Sequence, residues 1–521
     1  MQMAWTDVAF SIPGILIAAA LTVEILRRVR PGPFPQVASW ALRPWAVWAV
    51  FNLFNRWQWR KGFNQPFTFP FYADFWSGRG SPGAWLLPRL ESPHFLLWGA
   101  VTLAAAAALL ALAWSVVRAG EGSRRRTALC LAVLLPLSFL FSWSLNQLPE
   151  GPQPDGKNPG SLLLPWHNAS STLLYAMPLV KDSDDFLRNY PLLQSRLRIT
   201  THGLSHPPGA VLSLHYIGCL AGAGENIRSN PVKLRYAAGL TAAGTLSVGA
   251  VFLLAASLFR SRRTGLLAAL LWAASPALTA YVAFAQDVVY SLFFILGLWL
   301  AWRVAKDPQP GVWKEIGLGL VFFAIAMLNY SWVLMTTIFT VFILYMTLRE
   351  RRPWGSLAAR WALPLAVMTV AAGGVLLYYR LDYLAMYRAA RLYVDEWYRF
   401  TGPYQWGMAL VGGQIDLWVM MGSVVGSAFC AAVFLRRAPA GAPARVFLAV
   451  LLLVYALPIL LGPNPLKMET SRCWLWVAAA PCAFAAGELL GHEKPMVLAL
   501  GAVLVSLATS VTLRLFLNFG V

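Results

Sequence analysis

Apolar runs recur along almost the whole chain, near 9–26, 36–54, 95–117, 127–145, 207–222, 236–259, 264–282, 285–304, 315–330, 332–349, 356–379, 405–435, 446–461, 473–490 and 496–517. A helix needs about 20 apolar residues to cross a bilayer. The pattern therefore predicts an all-α polytopic membrane protein with about 13–14 transmembrane helices. One stretch breaks it. Residues 146–205 hold no apolar run of membrane length, open on NQLPEGPQPDGKNPG and lead into THGLSHPPG at 201–209. A loop of this size beside a bilayer is where a site is expected. His167, His202 and His206 lie in or at the edge of this stretch, and His215 follows.

Composition agrees with the pattern. The chain is 58% hydrophobic and 12% charged, against roughly 25% charged in a soluble domain. The net charge of +20, from 42 Lys+Arg and 22 Asp+Glu, would suggest nucleic acid in a soluble protein. Here the basic residues sit in short clusters between apolar runs: Arg27/Arg28/Arg30, Arg124–Arg126, Arg260/Arg262/Arg263, Arg303/Lys306, Arg349/Arg351/Arg352, Arg436/Arg437 and Lys494. That is the positive-inside pattern of a membrane protein, and it excludes a nucleic-acid binder. The five cysteines lie in or beside apolar segments and form no CxxC pair, so no disulfide framework is expected. The first run lacks a basic leader and a small-residue cleavage site, and reads as a retained helix.

Placing every basic cluster in the cytoplasm fixes the topology. With Arg124–Arg126 inside, helix 127–145 exits and 146–205 is external. If 207–222 crossed, Arg260–Arg263, Arg303 and Arg349–Arg352 would all land outside. That segment holds only sixteen residues, starts with Pro207-Pro208 and contains His215. It is therefore read as a non-spanning helix in the outer interface, which extends the external region to about 146–235. The turns at Gln286-Asp287 and Asn329–Trp332, and the loops 380–404 and 462–472, then become external as well. The opening is less regular: Arg43 interrupts 36–54, which is either a span or an interfacial segment. Residues 1–118 are read as N-terminal membrane segments with the character of an added hairpin, and 119–521 as the main membrane domain.

Each polar constellation carries a structural reading beside a functional one. In His202-Gly-Leu-Ser-His206-Pro-Pro-Gly209 the prolines suit a first helical turn. The histidines edge a sugar or phosphate pocket, or simply start a helix. No third ligand or carboxylate is fixed beside them, so no metal is indicated, although a divalent ion stays open. Asp182 reads as the N-cap of a surface helix, with Asp185 favouring its dipole. Glu150 and Asp155 lie in a Pro/Gly-rich stretch that is a connector or a substrate loop. Arg380, Arg388, Arg391 and Arg399 share an external loop, where they hold a lipid phosphate or anchor the interface. Glu469 and Arg472 are spaced i,i+3. Asp287, at the end of an apolar helix, is a cap or a site residue.

The ordered set resembles the superfamily C membrane glycosyltransferases, which include protein O-mannosyltransferases and lipid A aminoarabinose transferases. The strings that carry this are Phe186-Leu-Arg-Asn-Tyr190, His202…His206-Pro-Pro-Gly209 and Glu469-Thr-Ser-Arg472-Cys-Trp474. The likeness covers about residues 127–490. It implies a polyprenyl-phosphate-linked sugar as donor, a lipid, glycan or protein acceptor, inverting hexosyl or pentosyl transfer, and a site on the outer face of the cytoplasmic membrane.

The resemblance also implies a carboxylate in the first long external loop as base or acceptor-positioning group. The family often has an acid just before a Tyr there, but His167–Tyr175 contains none. Asp155 and Asp182 are therefore the candidate catalytic carboxylates, with Asp74 and Glu91 in reserve. His202, His206, Asp287, Arg388, Arg391, Arg399, Glu469 and Arg472 are the candidate substrate-binding residues. Two other readings fit the same outer-face chemistry: a flippase or transporter of lipid-linked sugars, and a lipid-linked glycan ligase or polymerase.

Overall fold

The computed structural model describes residues 19–24, 27–28, 32–60, 93–148, 179–197, 206–222, 229–283, 285–307, 311–397, 403–434, 441–461 and 474–516. Among them there is no strand, and the chain is an all-α polytopic membrane protein. Eight described helices have the length and hydropathy to cross a bilayer. Others in the expected count of spans are short or broken. Val312–Leu328 has 17 residues. Arg262–Ala274 is interrupted at Ser275-Pro276 before Pro276–Tyr281. Residues 36–54 fall inside one helix, Pro33–Arg60, which packs on three later helices, Pro403–Met420, Ser423–Phe434 and Pro495–Phe516.

In chain order the described helices around the site are α1 (Pro33–Arg60), α2 (Pro93–Arg118), α3 (Arg124–Gln147), α4 (Ser183–Leu197), α5 (Pro208–Leu220), α6 (Asn230–Phe259), α7 (Arg262–Ala274), α8 (Pro276–Tyr281), α9 (Asp287–Lys306), α10 (Val312–Leu328), α11 (Trp332–Arg349), α12 (Trp354–Tyr378) and α13 (Tyr383–Trp397).

Four basic connectors, near 119–126, 260–263, 303–307 and 349–352, gather at one end of the bundle. Ser261 Oγ donates to Glu121, whose other oxygen accepts from Arg262 N at 3.2 Å. Arg262 Nη1 donates to Gly122 O at 3.2 Å and Arg263 to Val117 O. Lys306 pairs with Glu350 at 3.1 Å, and Arg352 Nη1 donates to Ala305 O at 2.9 Å. Charge reasoning from the sequence put these connectors on one side, and the fold brings them into contact.

The short α5 explains how. A helix of 13 residues is about 20 Å long at 1.5 Å per residue, too short to cross. Its first turn touches the C-terminal end of α10: a Cβ on Gly209 would stand 2.5 Å from Met327 O. Its last turn touches the opening third of α6, where Gly218 faces Tyr236 and Gly239 faces Ile217. Parallel packing of α6 and α9, with Gly244 against Val288 and Ser257 bonded to Trp299, leaves the start of α6 projecting beyond α9. Both ends of α5 therefore lie at the end opposite the basic clusters, as a non-spanning helix requires.

The sidedness can be checked by labelling. In a cysteine-free background, single cysteines at Ser195 and Ser229 react with an impermeant maleimide from one side of the membrane, and those at Arg125 and Arg351 from the other. Labelling of Ser229→Cys together with Arg351→Cys from the same side overturns the arrangement. A second expectation concerns Glu350. Burial raises its carboxyl, but hydrogen bonds from Arg352 and Lys306 outweigh that and hold it below its usual range. A carboxylate depressed on folding stabilises above its unfolded pKa of about 4.3, and that contribution is lost as pH falls through the folded value. Glu350→Gln should flatten the fall in unfolding temperature of the detergent-solubilised protein below about pH 4.5.

Candidate functional site

At the end opposite the basic clusters, four elements close around the His206-Pro-Pro-Gly209 turn. α4 starts on Asp182, whose Oδ2 accepts from Asp185 N at 3.0 Å. Asp184 and Arg188 pair at 2.8 Å across one turn. The Arg188 guanidinium holds the Asp184 carboxyl below its usual range, against a smaller opposing effect of desolvation. Arg188 also lies over the Tyr378 and Tyr379 rings at 5.1 and 5.7 Å, which docks α4 on the end of α12.

Further along α4, Phe186 and Tyr190 are buried and meet edge to face at 5.5 Å. The Tyr190 hydroxyl donates to His206 O. Burial pushes that hydroxyl well above its usual pKa, so it stays protonated and keeps donating. Gln194 is buried one turn later and donates to Met386 O of α13 at 3.3 Å. It also lies beside Tyr330, whose ring packs on Tyr383 and Tyr387 at 5.3 and 5.4 Å. Tyr383 OH donates to Ala326 O at 2.9 Å. Tyrosines from α4, α13 and the end of α10 thus wall one side of the turn.

On the other side the His206 ring stands 6.2 Å from Tyr290 in the first turns of α9. Asp287 is three residues earlier and so shares that face. The Pro-Pro pair has a chemical consequence. Helix N-termini bind anions through unpaired N–H groups, but Pro207 and Pro208 have none. Ala210 N is used by Pro207 O. On α9, Val288, Val289 and Tyr290 N–H groups are taken by Ala285 and Gln286 carbonyls. Few backbone donors are thus left at the turn for an anion.

Of the residues singled out from the sequence, His206 and Asp287 are brought together around Tyr290. Asp182 caps α4 and is exposed. Arg388 and Arg391 lie on α13, whose packed face is Met386 and Ala390. Arg388 points away from that face and is exposed, whereas Arg391 is half-buried. Asp155, His202, Arg399, Glu469 and Arg472 lie outside the described residues. Trp474, two positions after Arg472 in sequence, is buried against Tyr455 at 4.9 Å. Trp476 stacks on Phe294 of α9 at 4.7 Å.

Sequence reasoning missed Tyr290, Tyr330, Gln194 and the buried Arg514. Arg514 lies one turn past Ser510, which bonds Ala274 O at 2.9 Å. Tyr290 and Tyr330 stand singly in apolar runs, which gave no signal for either. Arg514 sits in an apolar run that gave none.

Residues 216–394 match the model of the dolichyl-phosphate-mannose-protein mannosyltransferase family. The match starts just after the His-Pro-Pro-Gly turn and takes in Asp287, Arg388 and Arg391. Over that stretch the chain is similar to that family; the three strings that carry the sequence resemblance lie on either side of it. No curated protein sequence matches it.

Among solved structures it is similar to the Archaeoglobus fulgidus oligosaccharyltransferase in complex with Zn and sulfate, at 14% identity over 73% of this chain and 53% of that one, with a TM-score of 0.46. It is also similar to ArnT from Cupriavidus metallidurans bound to undecaprenyl phosphate, at 15% identity over 69% and 60%, TM-score 0.42. The third is the archaeal oligosaccharyltransferase AglB from Archaeoglobus fulgidus with an inhibitory peptide and a dolichol-phosphate, at 12% identity over 74% and 56%, TM-score 0.46. The chain thus matches between about half and three-fifths of the length of these structures.

The turn can be tested directly. Gly209→Ala drives a methyl group into Met327 O, and overpacking of this kind costs about 1–3 kcal/mol. Tyr190→Phe leaves the His206 carbonyl without its buried donor, at about 1–3 kcal/mol. Both variants should lower the unfolding temperature in detergent, while the exposed-site control Ser195→Ala should not.

Proposed function

We propose that this protein is a polyprenyl-phosphate-sugar-dependent membrane glycosyltransferase whose site is the tyrosine-walled His-Pro-Pro-Gly turn. The carrying observation is the placement of that turn at the end of the bundle opposite the basic connectors, leading into a segment that matches a mannosyltransferase family. By the positive-inside rule the basic end faces the cytoplasm, so transfer takes place on the outer face of the cytoplasmic membrane.

The acceptor hydroxyl attacks the anomeric carbon of the donor as a loop carboxylate, Asp155 or Asp182, takes its proton. The bond from that carbon to the phosphate oxygen breaks, and the phosphate leaves with its lipid chain. A single displacement inverts the anomeric configuration. Arginines from the α13 loop and the late string, Arg388, Arg391, Arg399 and Arg472, stabilise the charge gathering on the leaving phosphate. His206 and Asp287 line the sugar pocket, with Glu469 orienting Arg472. The acceptor is a lipid, glycan or protein hydroxyl, and the sugar a hexose or pentose.

A flippase is the second reading. It draws on the helix pair Leu410–Met420 and Ser423–Phe434, bent by 106° at a break. Broken helices at membrane depth are a transporter feature.

The separating experiment gives purified protein a radiolabelled polyprenyl-phosphate hexose or pentose with a mixed acceptor fraction. Transfer is expected, and either Asp155→Asn or Asp182→Asn should reduce it by about 10²–10⁴-fold, the usual contribution of a general base. Arg391→Gln should reduce it by about 10–100-fold, as loss of a charge-assisted hydrogen bond predicts. Movement of the labelled lipid across liposomes without transfer to any acceptor rules the enzyme out.

A further inference from the structure

The basic end contains more than positive charge. A cavity of about 680 Å³ opens there between the ends of α6 and α9, the start of α7 and the connector after α2. Arg260, Arg262, Arg303 and Lys306 line it, with Glu121 and the buried Trp302. A volume in this range suits a small ligand.

Three of the four cations already have work within the fold. Arg303 pairs with Asp307 at 3.2 Å and Lys306 with Glu350 at 3.1 Å. Arg262 Nη1 donates to Gly122 O at 3.2 Å, and its backbone N–H is taken by Glu121. Arg260 is different. Its side chain has no hydrogen-bond or ion-pair partner among the described residues and is exposed at the cavity. Its backbone is left-handed, with φ 54°, at the end of α6. Glycine is the residue that takes this helix-ending conformation without strain. The turn itself thus favours glycine, and what arginine adds is a guanidinium at the cavity. Arg351 and Arg380 end helices with the same conformation, at φ 51° and 55°, so what sets Arg260 apart is its guanidinium at the cavity.

We propose that this cavity binds a phosphate-bearing anion, with Arg260 as its principal ligand. A guanidinium presents paired N–H donors that match phosphate oxygens. Arg262 adds a second positive charge, and Trp302 and Phe252 supply an apolar wall for the group that carries the phosphate. The source is a lipid headgroup of the facing leaflet or a soluble phosphate. The site lies at the opposite end from the His-Pro-Pro-Gly turn and does not depend on the transfer reading.

The test uses the full chain in two arms. In an uncharged detergent, pyrophosphate is titrated by calorimetry. In phosphatidylcholine nanodiscs with and without phosphatidylglycerol, native mass spectrometry counts retained anionic lipid. Saturable binding is expected in one arm, and the arm identifies the source. Arg260→Gly should weaken it by about tenfold, the size of one charge-assisted hydrogen bond, with an unchanged or higher unfolding temperature. Arg125→Gln removes the same charge from an exposed position outside the cavity and should leave binding as it is. Absence of saturable binding in both arms overturns the proposal. So does equal loss in Arg125→Gln and Arg260→Gly, which would make the basic end a diffuse charge.

Discussion

The direction of everything after residue 222 depends on α5 staying at one end of the bundle, where the bare α-carbon of Gly209 lies against the Met327 carbonyl at the end of α10. A methyl group would not fit there. Together with the Tyr190 hydroxyl on His206 O, that contact holds α5 at one end of the bundle. Because α5 turns back without crossing, α6 sets out from the same side at which α3 finished. Had α5 crossed, every connector from Arg260 to Arg352 would have changed sides, and the contacts among Glu121, Arg262, Lys306 and Glu350 could not have formed.

Much of this was legible in the chain, because charge in a membrane protein obeys a rule with few solutions. Runs of about 20 apolar residues announce helices, and basic clusters mark one side. The sixteen-residue segment beginning at Pro207 was the single place where the two could be reconciled. What stayed hidden was contact. Gln194 and Tyr190 look like ordinary members of an amphipathic surface helix, yet they reach Met386 of α13 and His206 from one face. Nothing local in the sequence says that 194 meets 386. Nor does the apolar run 496–517 show that Arg514 is buried at its far end, since one arginine barely lowers a run's hydropathy. Asp182 could be read both ways from sequence, and its cap geometry shows one of the two roles in place.

The division of labour at the site comes from its prolines. A helix N-terminus is a simple cradle for an anion, but Pro207 and Pro208 lack N–H groups, and Val288, Val289 and Tyr290 of α9 use theirs. What α5 offers is rigidity: a fixed entry angle for His206 and a close seat on α10. Recognition passes to side chains, and side chains on separate elements can move independently. α13 is well suited to this. It is held by Met386 and Ala390 on one face and presents arginines from others.

The two ends of the bundle therefore use cations in opposite ways. At the basic end, Arg262, Arg263 and Arg352 bond to backbone carbonyls of neighbouring connectors, satisfying groups that helix ends leave without intrahelical partners. Those arginines work as mortar. At the other end the tyrosines do that work: Tyr190 and Tyr383 donate to carbonyls, and neutral hydroxyls bring no charge to the site. Arg388 of α13 is exposed and takes no part in that work. The tyrosine hydroxyls that hold carbonyls here belong to the fold, as does Arg188 where it seats α4 on α12. Loss of Tyr190 or Tyr383 should therefore be felt first as stability.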